Sequence, residues 1–154
     1  DVTVIDATEM ASYQLGKNVT MRPGTNLIKL TTDPNVYTVE PGSILRLIES
    51  ETIAIDLYGD DWADRVRDVP DVFWGNYSVG DNIDSAVHPD GTLGVTPNGE
   101  VIYILNGSHQ GMPGSVFSYM RFQPDFYTAI SEELMELYVD VGNLTEDPEI
   151  AFPY

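Results

Sequence analysis

The chain has 154 residues, of which 25 are acidic and only seven are lysine or arginine, so its net charge is −18 at pH 7. Such an acidic surface repels nucleic acids and anionic lipids, and we expect neither as a partner. The absence of cysteine excludes disulfides and thiolate metal sites without fixing the compartment. No apolar run reaches the roughly 18–20 residues of a spanning helix, so we expect no transmembrane segment.

The start of the chain introduces a pattern that occurs three times. An aliphatic residue is followed eight positions later by tyrosine, and glycine comes three or four positions after the tyrosine. The instances are Ile5, Tyr13 and Gly16; Val69, Tyr77 and Gly80; and Ile130, Tyr138 and Gly142. A short helix is predicted between the first two positions, since Asp6 and Ser131 are good N-caps and glycine suits a helix end.

Strands are predicted upstream of the second instance. Residues 26–32 and 36–40 alternate apolar and polar side chains, and turn residues separate them. A third strand is predicted over 44–48, followed by a helix that Ser50 caps and Gly59 ends. The same order returns more loosely between residues 101 and 142.

These elements predict an α+β fold of tandem small repeats. Each repeat is a short antiparallel strand meander followed by two or three short helices. The expected division is a partial repeat over 1–19, a unit over 20–83, a divergent unit over 84–144 and an apolar tail over 145–154. A unit of this size would bury only about 60% of its unfolded surface, so neighbouring units should stack.

Four N-x-S/T sequons indicate secretion and glycosylation, whereas about one is expected by chance. Their asparagines are Asn18, Asn76, Asn106 and Asn143. The alternative is that they are ordinary turn asparagines beside hydroxyl residues. The missing initial methionine fits a processed chain or a fragment of a longer one.

The string VYTVEPGSILRLIESETIAIDLYGDDW resembles tandem repeats of large, uncharacterised extracellular proteins of bacteria, which are similar to surface-layer proteins. Those units contain a VYxV strand, a glycine turn, an R-x-I strand, and an acidic helix that ends in LYG before a tryptophan. The matching positions here are Val36, Tyr37, Val39, Gly42, Arg46, Ile48, Leu57, Tyr58, Gly59 and Trp62. The resemblance covers residues 1–83, and the later part lacks the arginine and the LYG-W element. It implies secretion and a surface role, with no catalytic residues to carry over.

No catalytic constellation is found in the sequence. The two histidines, His88 and His109, have no neighbouring ligand residues that would complete a zinc site. Residues 107–111 read GSHQG, which is not the G-x-S-x-G motif of serine hydrolases. Pairs of carboxylates could serve a glycosidase, but 25 acids form such pairs by chance. We therefore expect no enzyme, and no catalytic or cofactor-binding residues.

Calcium is the one cofactor that the sequence suggests. Carboxylates cluster near the end of the predicted helix, at Asp56, Asp60, Asp61 and Asp64. A hard cation needs several oxygen ligands from one flexible segment, which these residues offer. The alternative is an ordinary solvated acidic surface.

Both ends of the chain carry apolar residues that need a partner surface. The predicted assembly residues are Val4, Ile5, Ile150, Phe152 and Tyr154. Unlike surfaces at the two ends would generate head-to-tail filaments or lattices. The alternative is that residues 1–19 pack on their own chain as a cap.

The sequence thus predicts a structural subunit of an extracellular surface layer or filament, which forms a homopolymer. A glycan- or protein-binding module of a larger secreted adhesin is the alternative, since exposed aromatic rings can stack on sugars. An acidic, glycosidase-like enzyme is a third reading.

Overall fold

The computed structural model describes residues 4–14 and 18–144. The helices are α1 (Ala7–Ser12), α2 (Glu51–Tyr58), α3 (Asp71–Trp74), α4 (Gly114–Tyr119) and α5 (Glu132–Met135). The strands are β1 (Leu27–Leu30), β2 (Tyr37–Glu40), β3 (Ile44–Leu47), β4 (Val66–Val69), β5 (Ser78–Val79), β6 (Leu93–Val95), β7 (Val101–Leu105), β8 (Ser108–Gly111), β9 (Thr128–Ala129) and β10 (Val139–Asn143). Two 3₁₀ turns cover Trp62–Arg65 and Pro124–Phe126.

The first sheet is mixed and has the strand order β4-β1-β2-β3-β5. Strands β1, β2 and β3 form an antiparallel meander, β4 pairs parallel with β1, and β5 pairs parallel with β3. The β1–β4 register places Lys29 opposite Asp68, and the Lys29 Nζ lies 2.6 Å from the Asp68 Oδ1.

The second sheet has the order β10-β8-β7-β6-β9. Its strands β6, β7 and β8 form an antiparallel meander, with β9 parallel to β6 and β10 parallel to β8. The two sheets therefore have the same strand directions and the same order of strands along the chain.

The predicted fold class is wrong in its description of the building unit. The fold is α+β, but it consists of two mixed five-stranded sheets rather than tandem units of an antiparallel meander followed by helices. After each meander, the chain adds two further strands to the same sheet, and short helices connect the strands. Strands β5 and β9 have two residues each, too few to show an alternating pattern in the sequence. The proposed boundaries between units stay a prediction.

Apolar clusters cover both faces of each sheet. Adjacent residues of β1 point to opposite faces, so Leu27 packs beneath α2 and Ile28 packs toward α3. In the second sheet, Leu93 and Tyr103 belong to the cluster beneath α4, and Ile102 and Ile104 belong to the opposite one.

Arg65 connects the two sheets through two backbone carbonyls and one hydroxyl. Its Nη1 donates to the carbonyl oxygen of Phe126 at 3.1 Å and to the Thr128 hydroxyl at 3.2 Å. Its Nη2 donates to the carbonyl oxygen of Tyr127 at 2.6 Å. Burial lowers the pKa of this guanidinium.

Arg22 makes a second connection between the sheets. Its Nη1 donates to the carbonyl oxygen of Met120 at 2.5 Å. The guanidinium carbon lies 3.6 Å from the centre of the Phe122 ring, within the range of a cation–π contact. Both arginines therefore contribute hydrogen bonds or ring contacts at the junction between the sheets.

Candidate assembly surface

Helix α1 is a capped helix in which no residue is buried. The Asp6 Oδ1 accepts hydrogen bonds from the backbone amides of Thr8 and Glu9, both at 2.8 Å. This geometry confirms the cap predicted from the sequence. The helix ends at Ser12, and the hydroxyl of the following Tyr13 lies 3.4 Å from the Glu9 carboxylate.

Apolar side chains of this segment face solvent. Val4 is 91% exposed, and Met10 and Tyr13 are each 62% exposed. We refer to Val4, Met10 and Tyr13 as the α1 surface. Ile5, beside it, is half-buried. The other predicted assembly residues, Ile150, Phe152 and Tyr154, lie outside the described residues.

The tyrosines of the other two sequence instances have a different environment from Tyr13. The Tyr77 hydroxyl accepts a hydrogen bond from the Met21 amide at 2.8 Å, and the Tyr138 hydroxyl accepts one from the His88 amide at 2.8 Å. Each donor precedes the first strand of the sheet on which its tyrosine packs. At Tyr77 and Tyr138, the tyrosine therefore holds its segment against the sheet by a hydrogen bond. Tyr13 makes no comparable contact within the described residues.

A second apolar surface lies at the edge strand β10. All five residues of β10 are exposed, including Val139 and Val141. Leu137, just before the strand, is exposed as well. Within residues 4–14 and 18–144, β10 pairs on one side only, with β8. Edge strands with free backbone groups are templates for pairing with another chain.

The four sequon asparagines occupy unlike positions. Asn106 is exposed at the tip of the β7–β8 hairpin, with a φ of 52°. Asn143 is exposed in β10. Asn18 and Asn76 are brought together, since the Nδ2 of Asn18 donates to the Oδ1 of Asn76 at 2.6 Å. Glycosylation at all four stays a prediction.

The predicted calcium residues are only partly brought together. Asp60, Asp61 and Asp64 line one open cleft of about 570 Å³, which Asp56 does not line. Two arginine side chains line the same cleft. Among the described residues, no three acidic or histidine side chains are arranged to hold a metal ion. Calcium binding stays a prediction, and the described residues contain no preformed set of metal ligands.

The tryptophans pack against the sheet clusters rather than standing free. Trp74 makes an edge-to-face contact with Tyr37, with ring centres 5.3 Å apart. Trp62 packs against the cluster beneath α2. Neither ring is fully exposed, which reduces the area that each offers to a sugar.

The sequence did not indicate a structural role for His88, which has no neighbouring ligand residues that would complete a zinc site. The structure buries this side chain between the two sheets, and burial lowers its pKa to about 4. Burial also raises the pKa of the nearby Glu40 carboxyl, although the Arg46 guanidinium opposes this rise. His88 is followed by the turn residues Pro89, Asp90 and Gly91, so no local signal indicates that it is buried.

No protein-family model, curated protein or solved structure matches the chain at a significant level. The resemblance to bacterial surface repeats therefore stays a prediction. Within the described part of the chain, none of the helices combines the length and apolar character that crossing a bilayer requires.

Proposed function

We propose that this protein is a structural subunit of an extracellular surface layer or filament, and that the α1 surface is one of its assembly contacts. The observation that carries the proposal is a capped helix whose apolar side chains all lie outside the core. A six-residue helix is far below the roughly 12–15 residues at which isolated helices become even marginally stable in water. A partner that covers α1 would supply the missing packing.

The free energy that the α1 surface can contribute indicates that assembly needs a second contact surface. Burying three large apolar side chains contributes roughly 4–9 kcal/mol, whereas association costs about 4–15 kcal/mol in lost translational and rotational freedom. The α1 surface alone would thus give a weak complex. The exposed edge of β10 is the second contact, because a strand added there would gain backbone hydrogen bonds as well as apolar burial.

The charge distribution makes this assembly dependent on ions. Among residues 4–14 and 18–144, five cationic side chains bind groups within the chain. These are Arg22, Lys29, Arg46, Arg65 and Arg67. The surface carboxylates are therefore largely unneutralised, and two copies repel each other at low ionic strength. Added salt screens such repulsion, and divalent cations can bridge carboxylates.

Negative-stain microscopy of the full chain, at low salt and with added salt or calcium chloride, tests this function. We expect filaments or sheets that appear or lengthen as the ion concentration rises. Separate particles at high protein concentration in every condition would contradict the proposal.

A glycan- or protein-binding module of a larger adhesin is the second candidate. The cleft of about 570 Å³ favours it, because Tyr58 and Phe126 line this cleft together with carboxylates and arginines. Aromatic rings and charged groups of this kind suit sugar recognition. Binding to defined glycans on an array, lost in Phe126→Ala, would favour this candidate over assembly.

A further inference from the structure

His88 links the two sheets through three polar contacts. Its Nε2 lies 3.1 Å from the carbonyl oxygen of Leu57 in α2. Its backbone amide donates to the Tyr138 hydroxyl at 2.8 Å, and its Nδ1 lies 3.3 Å from the same hydroxyl. The residue is only 3% exposed, so water does not replace these contacts.

The partners determine which nitrogen carries the proton. The Leu57 carbonyl can only accept a hydrogen bond, so Nε2 must be the protonated nitrogen. Nδ1 is then an acceptor, and the Tyr138 hydroxyl donates to it while accepting from the His88 amide. All partners are satisfied by the neutral ring. A proton on Nδ1 would displace the hydroxyl hydrogen bond and leave a charge in a buried position.

The surroundings contain both acidic and basic groups. A cavity of about 230 Å³ beside the ring is lined by Glu40 from β2, Arg46 from β3, and Asp84 and Asp90 from the connecting loop. The Glu40 Oε1 accepts from Arg46 Nη1 at 2.8 Å and from the Asp90 amide at 3.2 Å. Burial is the largest influence on the ring, and it holds the pKa of His88 at about 4. The hydrogen bond to the Leu57 carbonyl oxygen raises the pKa of His88 and so opposes the effect of burial.

We propose that His88 is an acid-sensitive lock between the two sheets, which holds them together while its ring is neutral and releases their junction when the ring takes up a proton. The Arg65 guanidinium stays protonated in acid, so its contacts with the second sheet remain. Acid would therefore loosen the His88–Asp90 loop before it unfolds either sheet.

The direction of the pH dependence follows from the pKa of His88, which is 6.5 for an exposed histidine and about 4 in the closed junction. The stabilisation is fully present above pH 6.5 and is lost as the pH falls toward 4. Between about pH 7.5 and pH 5, the opening constant should rise roughly 30-fold. The raised pKa of Glu40 acts in the opposite direction, because its protonation favours the closed state.

Amide hydrogen exchange of the full chain, corrected for intrinsic rates, tests the lock. We expect the opening constants of the His88 and Asp90 amides to show the roughly 30-fold rise between about pH 7.5 and pH 5, and to exceed those of Ile28 and Ile104 at both pH values. His88→Gln, which keeps a donor and an acceptor but does not titrate, should remove the rise. His109→Gln, at the other histidine, should keep it.

Two results would overturn the proposal: a rise that persists in His88→Gln, or opening constants at His88 and Asp90 that equal those at Ile28 and Ile104. If His88→Gln does not fold, the ring resonances of the unaltered chain decide the question. A titration midpoint near that of an exposed histidine, 6.5, would disprove the lock.

Discussion

Gly24 and Gly91 meet at the junction of the two sheets without room for a side chain on either. A Cβ on Gly24 would lie 2.1 Å from the carbonyl oxygen of Gly91. A Cβ on Gly91 would lie 2.5 Å from the Cβ of Pro23. Both glycines have positive φ values, 69° and 92°, and each precedes the first strand of its sheet. The sheets thus approach each other through two backbone loops.

Gly24→Ala should destabilise the protein by about 3 kcal/mol, because left-handed strain adds to a clash with backbone that cannot move aside. Gly107→Ala is the matched control, since Gly107 has a φ of 68° and open space where the Cβ would lie. It should cost only about 1 kcal/mol. Urea denaturation measures both losses. Equal losses in the free energy of unfolding would mean that an added Cβ at Gly24 does not clash with Gly91.

Arg65→Lys should lower the free energy of unfolding by about 2–4 kcal/mol, because an ammonium group cannot reach three acceptors in the geometry of the guanidinium fork. Arg67→Lys is the control, since Arg67 is exposed and, among the described residues, donates to nearby carbonyls of its own segment. That change should stay within about 0.5 kcal/mol. If both variants unfold at the same urea concentration, Arg65 does not hold the sheets together.

Tyr138→Phe should destabilise the protein by roughly 1–3 kcal/mol, because the buried His88 amide and ring nitrogen both lose a partner. Tyr77→Phe should cost less, since Tyr77 and Met21 are only half-buried. Tyr119→Phe, at an exposed side chain, is the control and should be neutral. Thermal unfolding of the three variants gives this order. A neutral Tyr138→Phe would rule out the hydroxyl as a structural acceptor.

Glycan occupancy should be higher at Asn106 than at Asn76 when the chain is secreted from a glycosylating host. Asn106 lies at an exposed hairpin tip, whereas Asn76 is half-buried and its side chain is bonded to Asn18. Glycopeptide mass spectrometry measures the occupancy of each site. Preferential modification of Asn76 would show that these contacts open before the sugar is attached.

Local capping chemistry could be read from the sequence, and long-range pairing could not. The caps at Asp6, Ser50 and Ser131 are confirmed, because each depends on one side chain and an amide two or three residues later. Helix α4 begins without such a cap, at Gly114 directly after Pro113. A proline before a helix fixes its first turn without any side-chain cap.

The strands β4, β5 and β9 were missed for a physical reason. Each has two to four residues, and its place depends on a parallel partner far away in the sequence. In β4, Arg67 and Asp68 are exposed, and only Val69 is buried. The burial of His88 could not be predicted for the same reason, because its partners Leu57 and Tyr138 are 31 and 50 residues away in the sequence. Val4 is exposed, and its predicted role in assembly stays a prediction.

Sedimentation velocity over a range of protein concentrations, in buffer with added salt, tests the assembly role of α1 most directly. The unaltered chain should form larger species as its concentration rises, and the double variant Met10→Ser with Tyr13→Ser should stay monomeric. Tyr119→Ser, which alters a tyrosine that is 63% exposed compared with 62% for Tyr13, should assemble like the unaltered chain. An unaltered chain that stays monomeric throughout, or a double variant that assembles equally well, would contradict the account.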